Sequence, residues 1–206
     1  MNLVKELFIV RHGQTDYNKA GIVQGRGVDS SLNATGRKQA KALFEHYKDH
    51  DFDAIYASAL IRTQQTVQAF EALDYDIHKI AHLDEINWGH HEGKQSTPAL
   101  KAEYSRIHQL WLDGHYHVGI EGGESPLQVQ DRLKLFISKL HRQSHERVLV
   151  CTHGRTSRVL LCTLLGWELS RMADFEHRNT GVAKLIAGEG KYDLGFFNNI
   201  DHLDEN

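Results

Sequence analysis

Apolar positions along this chain come in two patterns: short unbroken runs, and longer stretches in which they recur every three or four residues. Residues 6–10 (Glu-Leu-Phe-Ile-Val) form a short β-prone run that stops at Arg11-His12-Gly13, as a buried strand does when it gives way to a loop. A polar loop with Gly21, Gly25 and Gly27 follows. Ala40, Leu43, Phe44 and Tyr47 then fall at i, i+3, i+4 and i+7, which predicts a helix from near Thr35. Asp53 to Ala57 reads as a second strand, with Ser58 placed to cap a helix that runs to about Leu73 and shows Thr63, Val67 and Phe70 on one face. A weak strand is expected around Ile77 to Ile80. Pro126 opens a helix whose core face is Val129, Leu133, Phe136, Ile137 and Leu140. Arg147 to Thr152 is the clearest strand; it runs into His153-Gly154 and a helix that Gly166 stops. Val182 to Ala187 and Tyr192 to Phe197 flank Gly188-Glu189-Gly190-Lys191 as a hairpin, and residues 200–206 read as a frayed end.

Strands that alternate with helices predict an α/β fold: three layers, α/β/α, around a mostly parallel central sheet, with the hairpin at its C-terminal end. No repeat, low-complexity stretch or linker divides the chain, so residues 1–206 are read as one domain. Residues 87–124 are the least regular part. They hold a helix near Pro98 to Leu112 and a loop ending in Gly122-Gly123-Glu124-Ser125, and read as an inserted helical excursion covering the site.

Composition narrows the functional classes. Hydrophobic residues make up 40% of the 206, enough for a core without staples, and the formal net charge is −3. No Lys/Arg block suggests a nucleic-acid surface, and no window approaches a membrane span. The expectation is a cytoplasmic protein with no nucleic-acid or membrane partner. Cys151 and Cys162 lack CxxC spacing and read as buried free thiols. No clear apolar stripe marks an oligomer face, which leaves a homodimer open.

Fifteen histidines raise a metal hypothesis. His46, His50, His78, His82, His141 and His145 sit in polar or helical-surface sequence and read as solvated. His90-His91 and His115-Tyr116-His117 are the pairs that could chelate, but no Cys, Asp or Glu stands at ligand spacing with either, so no metal and no cofactor is expected.

Ligands of open α/β sheets bind at the carboxyl ends of the strands. Two strands here end in His-Gly, which places His12 and His153 in one crevice, with Gly154 letting backbone amides approach an anion. Arg11 precedes the first histidine, and Arg62 opens the helix after the second strand. Two arginines and two histidines make a phosphate site, because the guanidinium fork matches phosphate oxygens and stays charged. Neutral imidazole can attack phosphorus, so His12 is the candidate nucleophile. Glu85, beside Ile86 and Trp88, is the candidate acid for the leaving alkoxide, with Asp84 and Glu92 as neighbouring rivals.

These residues resemble the histidine phosphatase superfamily, the phosphoglycerate-mutase-like clan. Leu7 to Asn18 is similar to its signature block; Gln24-Gly25 and Ser31-Leu32-Asn33 with Gly36 and Gln39-Ala40 follow the next. Ser58 to Thr66, Leu83 to Gly93 and Val148 to Gly154 resemble the blocks holding Arg62, Glu85 and His153, and Asn179-Thr180-Gly181 the short motif before the hairpin. The resemblance implies catalysis by His12, Glu85 and His153, and phosphate binding by Arg11, Asn18, Arg62 and Gly154. Gln24 and Gly25 are candidates to touch substrate, although Gln24 can equally bond its own loop. Tyr17 stands for the usual Trp, Ala59 for the usual Pro, and Arg155 where small or apolar residues are common.

The implied activity is a metal-independent phosphoric monoester hydrolase of histidine acid phosphatase type, acting on a small phosphorylated metabolite through a phosphohistidine. A 2,3-bisphosphoglycerate-dependent phosphoglycerate mutase is the alternative. Residues 87–124 carry only Lys94, Lys101 and Arg106, without the dense basic cluster typical of the mutases, which favours hydrolysis. A non-catalytic phospho-ligand binding module is a third reading; such modules usually lose the nucleophile or the acid, and both are kept here.

Overall fold

The computed structural model describes residues 3–204. Four parallel strands make up most of its sheet: β1 (Glu6–Arg11), β2 (Ala54–Ala57), β3 (Ile77–Lys79) and β4 (Arg147–Thr152). An antiparallel hairpin, β5 (Val182–Ala187) and β6 (Tyr192–Asn199), extends the sheet, in the order β3-β2-β4-β1-β5-β6. Because side chains alternate across a strand, successive residues of β1 serve opposite faces. Leu7 and Ile9 join one core with Tyr56, Val148 and Val150; Phe8 and Val10 join the other with Ile55, Leu149 and Cys151.

Helices cover both faces. On the Phe8 face, Leu43 and Tyr47 of α2 (Ala34–Tyr47) and Val67 of α3 (Ile61–Val67) pack against Phe70. On the Leu7 face lie α5 (Pro126–Leu140) and α6 (Gly154–Leu165). Local chemistry sets their ends. The Ser125 hydroxyl and the Gln128 side chain form a reciprocal cap before Pro126, and Gly166 ends α6 at φ 67°. Cys151 and Cys162 are buried free thiols, and among the described residues no helix is long and apolar enough to cross a membrane.

The segment 87–124 contains α4 (Pro98–Leu112), capped by Thr97. Ile107, Trp111 and Ile120 belong to the same core as Leu133 and Phe136 of α5, so this segment is packed onto the body of the molecule.

Four expectations need correction. Ser58 does not cap α3: Leu60 precedes the helix without a side-chain cap, and the Ser58 hydroxyl instead bonds His153 and accepts from Leu60 N–H. The helix after β2 tightens into a 3₁₀ turn over Gln68–Leu73, seating Phe70 against Phe44 and Phe52. The chain after Ile200 is ordered through α7 (Asp201–Asp204), because His202 is buried, meets Tyr47 edge to face and bonds Thr180 Oγ1; residues 205–206 lie outside the described residues. Several of the histidines read as solvated are half-buried as well: His50 packs among Phe8, Tyr47 and Phe52, and His141 lies against Tyr192.

Candidate active site

The register of β1 and β4 builds the site. Arg11 pairs with Thr152, so the next residue on each strand is a histidine, and His12 N–H donates to the Thr152 carbonyl at 3.0 Å. The two imidazole centroids stand 5.2 Å apart. Asn179 Nδ2 donates to the His12 carbonyl, and the Gly13 N–H donates to Thr66 Oγ1 of α3. Gly13 must be glycine for packing: a Cβ there would lie 2.7 Å from the Gly36 carbonyl oxygen of α2.

The two histidines hold opposite tautomers. His12 Nδ1 donates to the Gly13 carbonyl at 2.7 Å, which leaves the lone pair on Nε2. His153 Nδ1 accepts from Arg62 Nε, so its proton sits on Nε2 and is given to Ser58 Oγ at 2.8 Å. Both rings are held neutral, their pKa values well below the ordinary histidine range: burial is the main cause, the Arg62 charge the next, and Arg11 adds to both. His153 is engaged at both nitrogens, whereas His12 keeps an uncommitted one.

Arg62 is fully buried. It donates to the carbonyls of Val28 and Gly25 and to His153, which spends three of its five N–H groups. Arg11 donates to the His177 carbonyl, while its Nε is buried with no hydrogen-bond partner among the described residues. Gln24 shows the same asymmetry. Its Oε1 accepts from Thr15 and Ser30 hydroxyls, and its buried Nε2 has no partner. Unpaired buried donors are costly, and two on residues that line one cavity suit an anion.

That cavity, of about 350 Å³, is lined by Arg11, His12, Asn18, Gln24 and Glu85 on the sheet side and by Trp88, His91, Leu100, Lys101 and Tyr104 from the 87–124 segment. Asn18 Oδ1 is occupied by the Thr15 N–H that starts α1 (Asp16–Ala20), leaving its amide nitrogen as the donor. Glu85 rests on the N-terminus of α6, accepting from the N–H groups of Arg155 and Thr156 and from the Thr156 hydroxyl. Gly154 brings the start of α6 close to both groups: a Cβ there would sit in ordinary contact, 3.5 Å from Arg11 Nε and 3.8 Å from Glu85 Oε2.

Of the residues singled out from sequence, His12, Arg11, Asn18, Gln24 and Glu85 line the cavity; Arg62, His153 and Gly154 stand behind it. Gly25 is not among the lining residues; its carbonyl holds Arg62, and its missing side chain admits Glu92. The rivals to Glu85 are committed elsewhere: Asp84 accepts from Ala59 N–H and pairs with Arg26, and Glu92 accepts from Trp88 N–H. Sequence reasoning missed Ser58, Thr66 and Thr156, whose roles depend on contacts across 53 to 95 residues. Arg155 is buried, bonds the Tyr104 hydroxyl and lies 5.2 Å from the Trp111 ring centroid, so it braces the cavity wall from behind.

Residues 7–200 match the family model of the histidine phosphatase superfamily (branch 1), and the chain belongs to that family. It is 28% identical over 200 residues to a putative phosphoserine phosphatase 2 of Hydrogenobacter thermophilus, covering 97% of this chain and 98% of that protein. It is 29% identical to a probable phosphoglycerate mutase of Proteus mirabilis, over 87% of this chain and 84% of that one. Among solved structures, a phosphoserine phosphatase from Entamoeba histolytica, in complex with 3-phosphoglyceric acid, superposes with a TM-score of 0.82 at 27% identity, covering 96% of this chain and 98% of that one. These relatives support phosphatase or mutase activity.

Proposed function

We propose that this histidine phosphatase superfamily member is a metal-independent phosphomonoesterase that hydrolyses a small phosphorylated metabolite through a phosphohistidine at His12. The observation that carries the reading is the state of His12: buried, neutral, its Nδ1–H spent on its own backbone, beside an unpartnered Arg11 Nε. The Nε2 lone pair attacks phosphorus as the ester P–O bond breaks, and Glu85 gives a proton to the departing alkoxide. Arg11, Asn18 and Gln24 meet the charge on the phosphoryl oxygens, and the buried Arg62 charge behind them adds to the field. Water then attacks phosphorus, Glu85 takes its proton, the P–N bond breaks, and neutral His12 returns. Acid and base are one carboxyl, so the cycle closes without a metal.

The names of the relatives make phosphoserine the first substrate to try. Lys101, at the outer wall, is the cation that a carboxylate on the leaving group can reach. Of the basic residues in 87–124, Lys94 and Arg106 do not line the cavity, which favours hydrolysis over a mutase grip on a second phosphate.

The test is to trap the intermediate. Incubation with a ³²P-labelled phosphomonoester should give an acid-labile, base-stable phosphoenzyme. His12→Ala should abolish it and lower kcat by about 10⁴-fold or more. A wild type that forms no phosphoenzyme, or a variant that still turns over normally, ends the reading. Conversion of 3- to 2-phosphoglycerate faster than phosphate release would make the chain a mutase.

A further inference from the structure

Three metal-ligating side chains converge beside the cavity, and one of them, His91, is part of its lining. His90 and His91 close the 3₁₀ turn Gly89–His91, and Glu103 stands in the second turn of α4. The Glu103 Oε2 atom lies 3.0 Å from His90 Nε2 and 2.9 Å from His91 Nε2, and the three ligand atoms all fall within 4.8 Å of one another. Tetrahedral bonds of about 2.0–2.1 Å separate ligand atoms by about 3.3 Å, so small shifts of side-chain ends admit an ion. Linear spacing does not reveal the carboxylate, which comes from another element, twelve residues past His91.

The hydrogen bonding of His90 points the same way. Its Nδ1 faces the Glu121 carbonyl oxygen at 3.3 Å while its Nε2 faces the Glu103 carboxylate. Both partners are acceptors, and a neutral imidazole has one N–H. A cation at Nε2 resolves the count. Nδ1–H then stays on the Glu121 carbonyl, the outer hydrogen bond that orients a metal-bound histidine. Two imidazoles with one carboxylate suit a zinc-class ion better than calcium or magnesium, which prefer oxygen ligands, and they leave a fourth position for water.

We propose that His90, His91 and Glu103 form a binding site for a zinc-class divalent transition-metal cation that ties the Gly89–His91 turn to α4. His91 lines the cavity, as do Leu100, Lys101 and Tyr104 of α4, so the ion pins the wall against which the substrate's leaving group rests. It lies outside the reacting atoms, and the phosphohistidine chemistry does not route through it.

The experiment uses the tag-free full chain, stripped with chelator, in phosphate-free buffer at neutral pH, titrated with zinc chloride by calorimetry. One ion should bind per chain with release of protons. His90→Ala and Glu103→Gln should each weaken binding by about 10-fold or more, whereas the double variant His115→Ala/His117→Ala should bind as the wild type does. His90 is partly exposed, so its variant tests the site without risk to the core, and circular dichroism confirms the fold. Zinc should also slow amide exchange over residues 98–112 in the wild type and not in Glu103→Gln. No saturable binding, as a doubly protonated His90 would give, overturns the site. So does binding that both single variants leave intact. Binding with unchanged exchange in α4 overturns the pinning.

Discussion

On the sheet side of the cavity, His12 and His153 follow strand ends, Arg62 sits in the first turn of α3, and hydrogen bonds to backbone, to a hydroxyl or to one another fix each of them. The opposite wall is held by packing: Trp88 and Tyr104 meet edge to face at 5.7 Å, Trp88 and Trp111 lie 6.2 Å apart, and the Arg155 guanidinium sits behind them. Under the proposed mechanism the first wall, preorganised for one charge distribution, sets rate, and the second, free to vary in shape without disturbing the reacting atoms, sets which ester enters. Glu85 belongs to the first wall by its bonds and borders the second through Ile86 and Trp88.

That division can be broken most directly at Glu85. In Glu85→Gln the side chain keeps its size but cannot give up a proton. Phosphorylation of His12 by an alkyl phosphate, followed in a single turnover, should slow by about 10² to 10⁴-fold. With p-nitrophenyl phosphate, whose leaving group departs without a proton, the loss should be under about 10-fold. Equal losses on both esters would move the proton donor elsewhere and reduce Glu85 to a cap on α6.

The second test asks whether the packed wall is a separate unit. Trp111 is 1% exposed, shares a core with Leu133 and Phe136, and donates from its indole N–H to the Val118 carbonyl. Trp111→Ala should cost about 3–5 kcal/mol, in one cooperative urea transition shifted to lower denaturant. A new, early transition with the main one unmoved would instead make residues 87–124 an independently melting cap.

The contrast between the walls also explains what the sequence made legible. Strands ending in His-Gly announced the sheet side, because a run of buried β-formers and a strand-end rule together place both histidines. The helices that open on a proline, α4 at Pro98 and α5 at Pro126, are readable at their starts. Ser58, Thr66 and Thr156 were not, since a hydroxyl in a helix or loop carries no pattern until a distant partner is brought to it. The order at His202 escaped for the same reason: Tyr47 and Thr180, far back in the chain, bury it. Glu103 is the sharpest case. Its pairing with His90 and His91 arises from the docking of α4, which linear spacing cannot express.

The smallest effect is in acid, and it probes the sheet side alone. His177 is buried behind Arg11; its Nδ1 is bonded to the Ser157 hydroxyl and its Nε2 has no partner among the described residues. Burial, with the charges of Arg11 and Arg158, lowers its pKa to about 3. Above about pH 6.5 the unfolded histidine is neutral too, so the stabilising contribution is complete. Below that, the unfolded chain takes up a proton that the folded one refuses, and stability falls with pH until about pH 3. The slope is at most about 1.4 kcal/mol per pH unit for each such histidine, and His12 and His153 add to it in the same direction. In His177→Gln one share of that slope should disappear: the stability gap between variant and wild type, from urea midpoints at pH 7.5, 6 and 5, should shift steadily toward the variant as pH drops. Parallel pH profiles would mean that His177 takes up its proton in the folded state as readily as in the unfolded one, and that the pocket behind Arg11 is wetter than its packing implies.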